Sequence, residues 1–178
     1  MKTAALVLAA CLAAGFAVAQ QPPAPKPAPE LQQLKWFEGT WSCQGNAPAS
    51  PFGPAHKTQS TLTAKSGLGG YWVLGTVKEA KTAENPQPID GVLQIGYDTS
   101  GKHFIFNWVD NFGSFATETS PGWQGDTMSW SGDQNVTGQK MKVRDSFTKK
   151  GAAEFTHKFE YENKGKWDLI IDETCKKK

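Results

Sequence analysis

Phe155, His157, Phe159 and Tyr161 alternate with Thr156, Lys158, Glu160 and Glu162. An alternation with a period of two puts one set on each face of a β-strand. A helix, whose faces repeat every 3.6 residues, cannot satisfy it. The same rhythm gives strand candidates at 40–46, 58–65, 71–79, 89–97, 103–109, 114–119, 127–131, 140–148, 154–162 and 167–175. The gaps carry turn chemistry: Gly67–Gly70, Asn85-Pro86, Ser100-Gly101, Asn111–Gly113, Gly132-Asp133, Lys150-Gly151 and Asn163–Gly165. With no crossover helices between them, successive strands are expected to be antiparallel neighbours. A meander of about ten strands loses its exposed edges by closing into a barrel, and a two-sheet sandwich is the alternative. The one departure lies at the start, where Leu31, Leu34 and Phe37 fall on one side at helical spacing and Gly39 ends the run. The expected fold is therefore all-β: a closed antiparallel meander with one short N-terminal helix.

The first nineteen residues read as an address. Lys2 precedes an apolar run from Ala4 to Val18, and Ala17-Val18-Ala19 has the small-x-small pattern of a signal-peptidase site, leaving Gln20 as the mature N-terminus. The run is too short to remain as a membrane span. Leu8-Ala9-Ala10-Cys11 also fits the pattern before a lipid-modified cysteine, although few apolar residues precede it. Residues 20–30 form a separate leader in which Pro22, Pro23, Pro25, Pro27 and Pro29 favour an extended, semi-rigid chain. Residues 31–178 are then one barrel domain, periplasmic or secreted in a bacterium.

Export leaves two cysteines, Cys43 in the first strand and Cys175 in the last. The exported compartment is oxidising, and a closed meander makes those strands neighbours, so a bridge between them would staple the seam. Alternation also assigns inner faces. Ile89, Gly91, Leu93, Ile95 and Tyr97 share one, as do Phe104, Phe106 and Trp108, and Met141, Val143, Asp145 and Phe147. In the last strand the inward set reads Trp167, Leu169, Ile171, Glu173 and Cys175, while strand 71–79 is apolar on both faces and unassigned.

Most familiar chemistry is missing. The sequence has no Gly-x-Ser-x-Gly, no phosphate-binding glycine loop and no paired Cys or His spacing for a metal; His56, His103 and His157 lie far apart. Asn135-Val136-Thr137 is a glycosylation sequon that matters only in a eukaryotic secretory pathway. A formal net charge of +2, with eighteen Lys and the single Arg144, argues against a nucleic-acid partner. One polar constellation emerges from register. A loop at Lys150–Ala152 pairs Phe147 with Phe155 and sets Asp145 directly opposite His157. The next turn then leaves Glu173 on the diagonal from His157, about 7–8 Å away between backbones. A carboxylate-held imidazole among Trp108, Phe106, Phe159, Tyr161 and Tyr97 can serve as the polar anchor of a ligand, as a general base, or as a satisfied core histidine. No inward Ser or Cys is expected beside the pair to act as a nucleophile.

Gly39-Thr40-Trp41, Gly96-Tyr97-Asp98, Trp108-Val109-Asp110, Lys140-Met141-Lys142-Val143-Arg144 and Glu173-Thr174 before a basic tail are also familiar in combination. Over about Leu31 to Lys177 they resemble the bacterial family called domain of unknown function 1579. That resemblance implies a lipocalin-like barrel with an internal cavity and no established activity. More distantly, the Gly-x-Trp strand and ten-strand meander look like the haem-binding barrels of the nitrobindin group, which would make an inward His157 an axial ligand. Trp41 is expected to plug the barrel beside the helix, with a cationic side chain over its ring. The resemblance gives Arg144 a structural role, while parity puts it on the outer face beside Lys142. The leading expectation is an exported, non-enzymatic barrel for a small apolar or amphipathic molecule, with Asp145, His157 and Glu173 as polar contacts and no required cofactor. The alternatives are a haem-type barrel, a cofactor-free isomerase or hydrolase using Asp145 and His157, and a filled structural barrel of the envelope.

Overall fold

The computed structural model describes residues 25–178; the signal-like segment, Cys11 and the first part of the proline-rich leader lie outside them. Eleven strands follow a 3-10 helix at Pro29–Phe37: β1 (Gly39–Ala47), β2 (His56–Gly67), β3 (Trp72–Glu79), β4 (Asp90–Asp98), β5 (His103–Asp110), β6 (Phe115–Ser120), β7 (Trp123–Gln124), β8 (Thr127–Val136), β9 (Gln139–Lys149), β10 (Glu154–Asn163) and β11 (Lys166–Lys177). Apart from β6 and β7, successive strands pair antiparallel; β1 pairs with β11, and β6 pairs with β8, past the two-residue β7 that pairs with β8 alone. The result is a closed antiparallel barrel of ten strands with one extra strand at its rim. No sandwich forms, because every edge that a sandwich would expose is hydrogen-bonded.

A disulfide joins Cys43 to Cys175. The two residues stand directly opposite each other in the β1–β11 ladder, so the bridge ties the first strand to the last. The helix caps one end. Leu31, Leu34 and Phe37 point into the barrel and are buried with Trp41, Phe155 and Met128. The indole of Trp41, 0% exposed, donates to the Phe37 carbonyl at 2.9 Å, which fixes the helix to the strand that follows it. The leader's last residues belong to this end: Tyr71 donates its hydroxyl to the Pro25 carbonyl, and Ala28 packs against the core.

Four details differ from the expected pattern. Gly132-Asp133 is not a turn. β8 runs straight through it to Val136, and the reversal comes at Thr137-Gly138, both with positive φ. Gly132 is needed there because it faces Glu118 where β6 closes on β8, and a Cβ would collide with the Thr117 carbonyl. The loop between β9 and β10 is Gly151–Ala153, closed by a bond from the Lys150 N–H to the Glu154 carbonyl. That shifts the register by two, so His157 faces Phe147 rather than Asp145, and Phe159 faces Asp145. A β-bulge in β11, between the partners of Phe159 and Glu160, makes Ile170 an extra residue and flips the parity beyond it. Trp167 and Leu169 consequently share the outer face with Glu160 and Glu162 instead of the inner one. The fourth difference is β7, a two-residue strand that the alternation does not announce.

Candidate functional site

Below the helix cap the barrel is not filled. A chamber of about 150 Å³ is lined by residues from nearly every strand of the barrel, including Phe106, Trp108, Phe147, Phe155 and Phe159. It is continuous, through Thr58, Glu79, Ile89, Asp110, Gln134, Phe159 and Ile171, with a mouth of about 550 Å³ at the end opposite the helix. Loops 48–55, 80–89 and 111–114 rim that mouth with Pro48, Pro51, Pro54, Pro86, Phe52 and Phe112.

The chamber's polar wall is built around His157. The corrected register exchanges the roles of its two acidic partners. Glu173 now lies directly across the β10–β11 ladder, and its Oε1 accepts from Nδ1 at 3.0 Å. Asp145 sits on the diagonal in β9, and its Oδ1 accepts from Nε2 at 2.6 Å. Phe147, directly opposite, stacks on the imidazole at 4.5 Å between centroids. Burial alone would lower the pKa of the ring. The hydrogen bonds to Asp145 and Glu173 outweigh burial and push it from 6.5 up to about 10. At neutral pH His157 is therefore an imidazolium whose two N–H groups are both spent on carboxylates.

Glu118 completes the cluster. It projects inward from β6 and is 1% exposed. Its cross-strand partner, Gly132, has no side chain, which leaves room for the carboxyl to approach Asp145 across β8. Burial first, and the Asp145 charge second, push Glu118 from 4.5 up to about 10, so it is a neutral acid at pH 7. Its Oε2 has no hydrogen-bond partner, and neither has Thr58 Oγ1, which also lines the chamber. Glu173 is accommodated in a related way: it faces Gly45 of β1, where a Cβ would meet the Asp172 carbonyl and the Glu173 backbone.

Of the residues singled out in the sequence, His157, Asp145, Glu173, Trp108, Phe106 and Phe159 come together around the chamber. Tyr97 and Tyr161 do not. Tyr97 lies at the helix end of β4, packed edge-on against Phe104 at 5.0 Å, where burial and the neighbouring Glu30 raise its hydroxyl pKa. Tyr161 packs edge-on against Phe52 of a mouth loop at 5.5 Å, outside the chamber lining. Trp41 plugs the capped end, and the cation over its ring is Lys177, at 5.1 Å. Arg144 is on the outer face, bonded to Glu160 at 2.7 Å and lying 4.6 Å over Trp167. Glu118 and Thr58 were not anticipated. The pattern Ala116, Glu118, Ser120 against Phe115, Thr117, Thr119 contains Glu118's inward parity, but Phe115 draws the apolar face the wrong way; it is 54% exposed.

This geometry constrains the chemistry. Iron ligation by His157 needs a ring nitrogen with a free lone pair, and both nitrogens are committed to carboxylates. A chamber of about 150 Å³ holds a benzene-sized molecule rather than a porphyrin. The residues present thus do not fit haem at His157. The same two bonds remove the lone pair that a general base would use. Cys43, Cys175 and Glu173 cluster closely, but the sulfurs are joined to each other and are not thiolate ligands.

The arrangement defines the class: a ten-strand antiparallel barrel, capped at one end, whose interior holds a chamber open toward loops at the other. Residues 26–177 match the family described as "Protein of unknown function (DUF1579)", and the chain belongs to it. Among solved structures it is similar to the crystal structure of Rv2717c from M. tuberculosis, with a TM-score of 0.67, 14% identity, and 86% of this chain and 99% of that one covered. At that identity the likeness speaks to the fold. A redesigned β-barrel is also similar over 81% of this chain and 93% of its own, at 14% identity and a TM-score of 0.42. No curated protein matches the chain.

Proposed function

We propose that the protein is an exported barrel that binds a small apolar or amphipathic molecule in this chamber, entering through the loop-rimmed mouth. The observation that carries the reading is an aromatic-lined chamber whose wall also presents two buried polar atoms, Glu118 Oε2 and Thr58 Oγ1, that no protein group satisfies. A filled structural barrel would bury Glu118 and Thr58 only against partners, since an unpartnered buried polar group costs about 1–3 kcal/mol. Here both atoms line a space that a ligand can occupy. Export is supported by the signal-like residues 1–19 and by the Cys43–Cys175 disulfide, and among the described residues no helix is long and apolar enough to cross a membrane. An enzymatic reading finds less support, because His157 has no free nitrogen.

A calorimetric titration with the neutral, benzene-sized probe phenol tests the binding reading. Saturable heat at one equivalent, abolished when Trp108→Ala and Phe159→Ala are combined, is the expected result. A signal that neither saturates nor responds to those substitutions sinks it.

A further inference from the structure

The lining of the chamber and mouth holds carboxyls rather than ammonium or guanidinium groups: Glu79, Asp110, Asp145 and Glu173, the last two sharing the charge of His157, Glu84 at the mouth, and Glu118, which is a neutral acid at pH 7. Among the described residues no Lys or Arg lines either space. Several of these cations instead pair on the outer face, as Lys142 does with Glu162 and Lys158 with Asp172, or lie over the rings of the capped end. Among the described residues the basic groups in the lining are His157, whose N–H groups are already taken, and His56 at the mouth, bonded to the Pro54 carbonyl and 3.8 Å from Glu79.

Glu118 Oε2 and Thr58 Oγ1 both lie in the lining with no protein partner, and each can accept from a donor brought by a ligand; Glu118 is 1% and Thr58 5% exposed. The buried donor without a partner, Trp130 Nε1, lies outside the lining. Asp110 is satisfied by the Trp108 indole and by the N–H groups of Phe112 and Ser114, so it closes a turn and is not part of the unmet demand. Phe106, Trp108, Phe155 and Phe159 surround the same space with aromatic surface, which attracts a cation and offers nothing to an anion. Outward from there, the mouth is walled by prolines, Met141 and Ile170.

Resting on the binding reading above, we propose that the ligand is an organic cation, a protonated amine with a compact apolar body. Its ammonium head lies deep in the chamber against Glu118 and Thr58, and its apolar body extends toward the mouth. The orientation places the charged end inward, the reverse of an arrangement in which a polar head stays in solvent. Carboxylates and phosphates of the same size are rejected, because Asp145 and Glu173 face them with no free cation nearby.

The test uses three probes of one length, hexylamine, hexanol and sodium hexanoate, titrated calorimetrically into the mature protein at pH 7. Hexylammonium is expected to bind at least tenfold more tightly than hexanol, with hexanoate undetectable. Glu118→Gln, which replaces a neutral carboxyl by an amide that keeps an acceptor oxygen, should hold hexylammonium within about threefold of the unaltered protein, whereas Glu118→Leu, which removes the acceptor, should weaken it about tenfold. Hexanol and hexylammonium binding equally well would overturn the cation assignment while leaving the binding reading intact, and so would tighter binding of hexanoate. If none of the three binds, both fail together. The comparison among probes needs only the unaltered protein, so a Glu118 variant that failed to fold would not blunt it.

Discussion

The two ends of this barrel solve opposite problems. At the helix end, aromatic rings pack directly on one another: Trp36 meets Trp41, Trp123 and Phe155 at 5.2–5.5 Å, and Phe37 stacks on Trp123 at 5.7 Å. Trp41 is bonded to the Phe37 carbonyl and Trp123 to the Gln33 carbonyl, and Lys149 lies 3.6 Å over the Trp123 ring. Toward the mouth, the interior gives up close packing for carboxyls, two glycines and space. Stability is concentrated where the barrel is filled; of the three buried side-chain atoms without a partner among the described residues, Glu118 Oε2 and Thr58 Oγ1 lie where it is not, and Trp130 Nε1 lies within the packed core. That division is what a binding barrel requires, since a site must be held open by something other than its own contents.

Substitutions should separate the two regions. Replacing Cys43 and Cys175 together by Ala should cost the most, roughly 5 kcal/mol in urea unfolding, because their bridge closes a sequence separation of 132 residues. Trp41→Ala comes next, at about 3–5 kcal/mol, since it empties a fully buried site and orphans the Phe37 carbonyl. If the capped end carries the stability, Trp41→Ala should lower the unfolding midpoint far more than Phe159→Ala, whose ring borders space already vacant.

The polar wall predicts a pH dependence of definite sign. The folded His157 holds its proton to about pH 10 against 6.5 when unfolded, so the stability it supplies is complete below pH 6.5 and is lost as pH rises through 10. Glu118, raised from 4.5 to about 10, acts in the same direction over a wider window. Stability should therefore fall from pH 6.5 to 10, by at most about 1.4 kcal/mol per pH unit for each group. Glu118→Gln should remove the decline between pH 4.5 and 6.5 and make it shallower above. Stability that rose across this range would contradict the assignment of His157 as an imidazolium. The smallest effect belongs to Lys149→Met, about 0.5–1 kcal/mol from loss of its contact with the Trp123 ring.

The architecture was legible because period-two alternation survives even when a strand carries charge. The ten barrel strands, the pairing of first with last, and the Cys43–Cys175 bridge all rest on parity and topology, which need no knowledge of side-chain packing. Parity and the resemblance left Arg144 open between the outer face and a structural role, and the structure has it on the outer face beside Glu160 and Trp167. What escaped was local geometry. A loop displaced by one residue, Gly151–Ala153, interchanged Asp145 and Glu173 as diagonal and direct partners of His157, yet all three still met because carboxylate side chains span either position. The bulge at Ile170 turned Trp167 outward, and nothing in an apolar run such as Leu169-Ile170-Ile171 marks which residue is the extra one. Gly132 reads as a turn by residue type alone; its actual constraint is a strand on the far side of the closure, ten or more residues away in sequence. Glu118 was hidden for the same reason, since its burial depends on facing that glycine.

Native mass spectrometry of the mature protein, purified from the periplasm of its own host, tests the central claim most directly. The account predicts a chain beginning at Gln20, lighter by two hydrogens for the disulfide, and accompanied by a reproducible mass excess that disappears on denaturation and corresponds to a small molecule. A protein that flies only at its bare mass, from its host and after exposure to the matched amine probe alike, would contradict it.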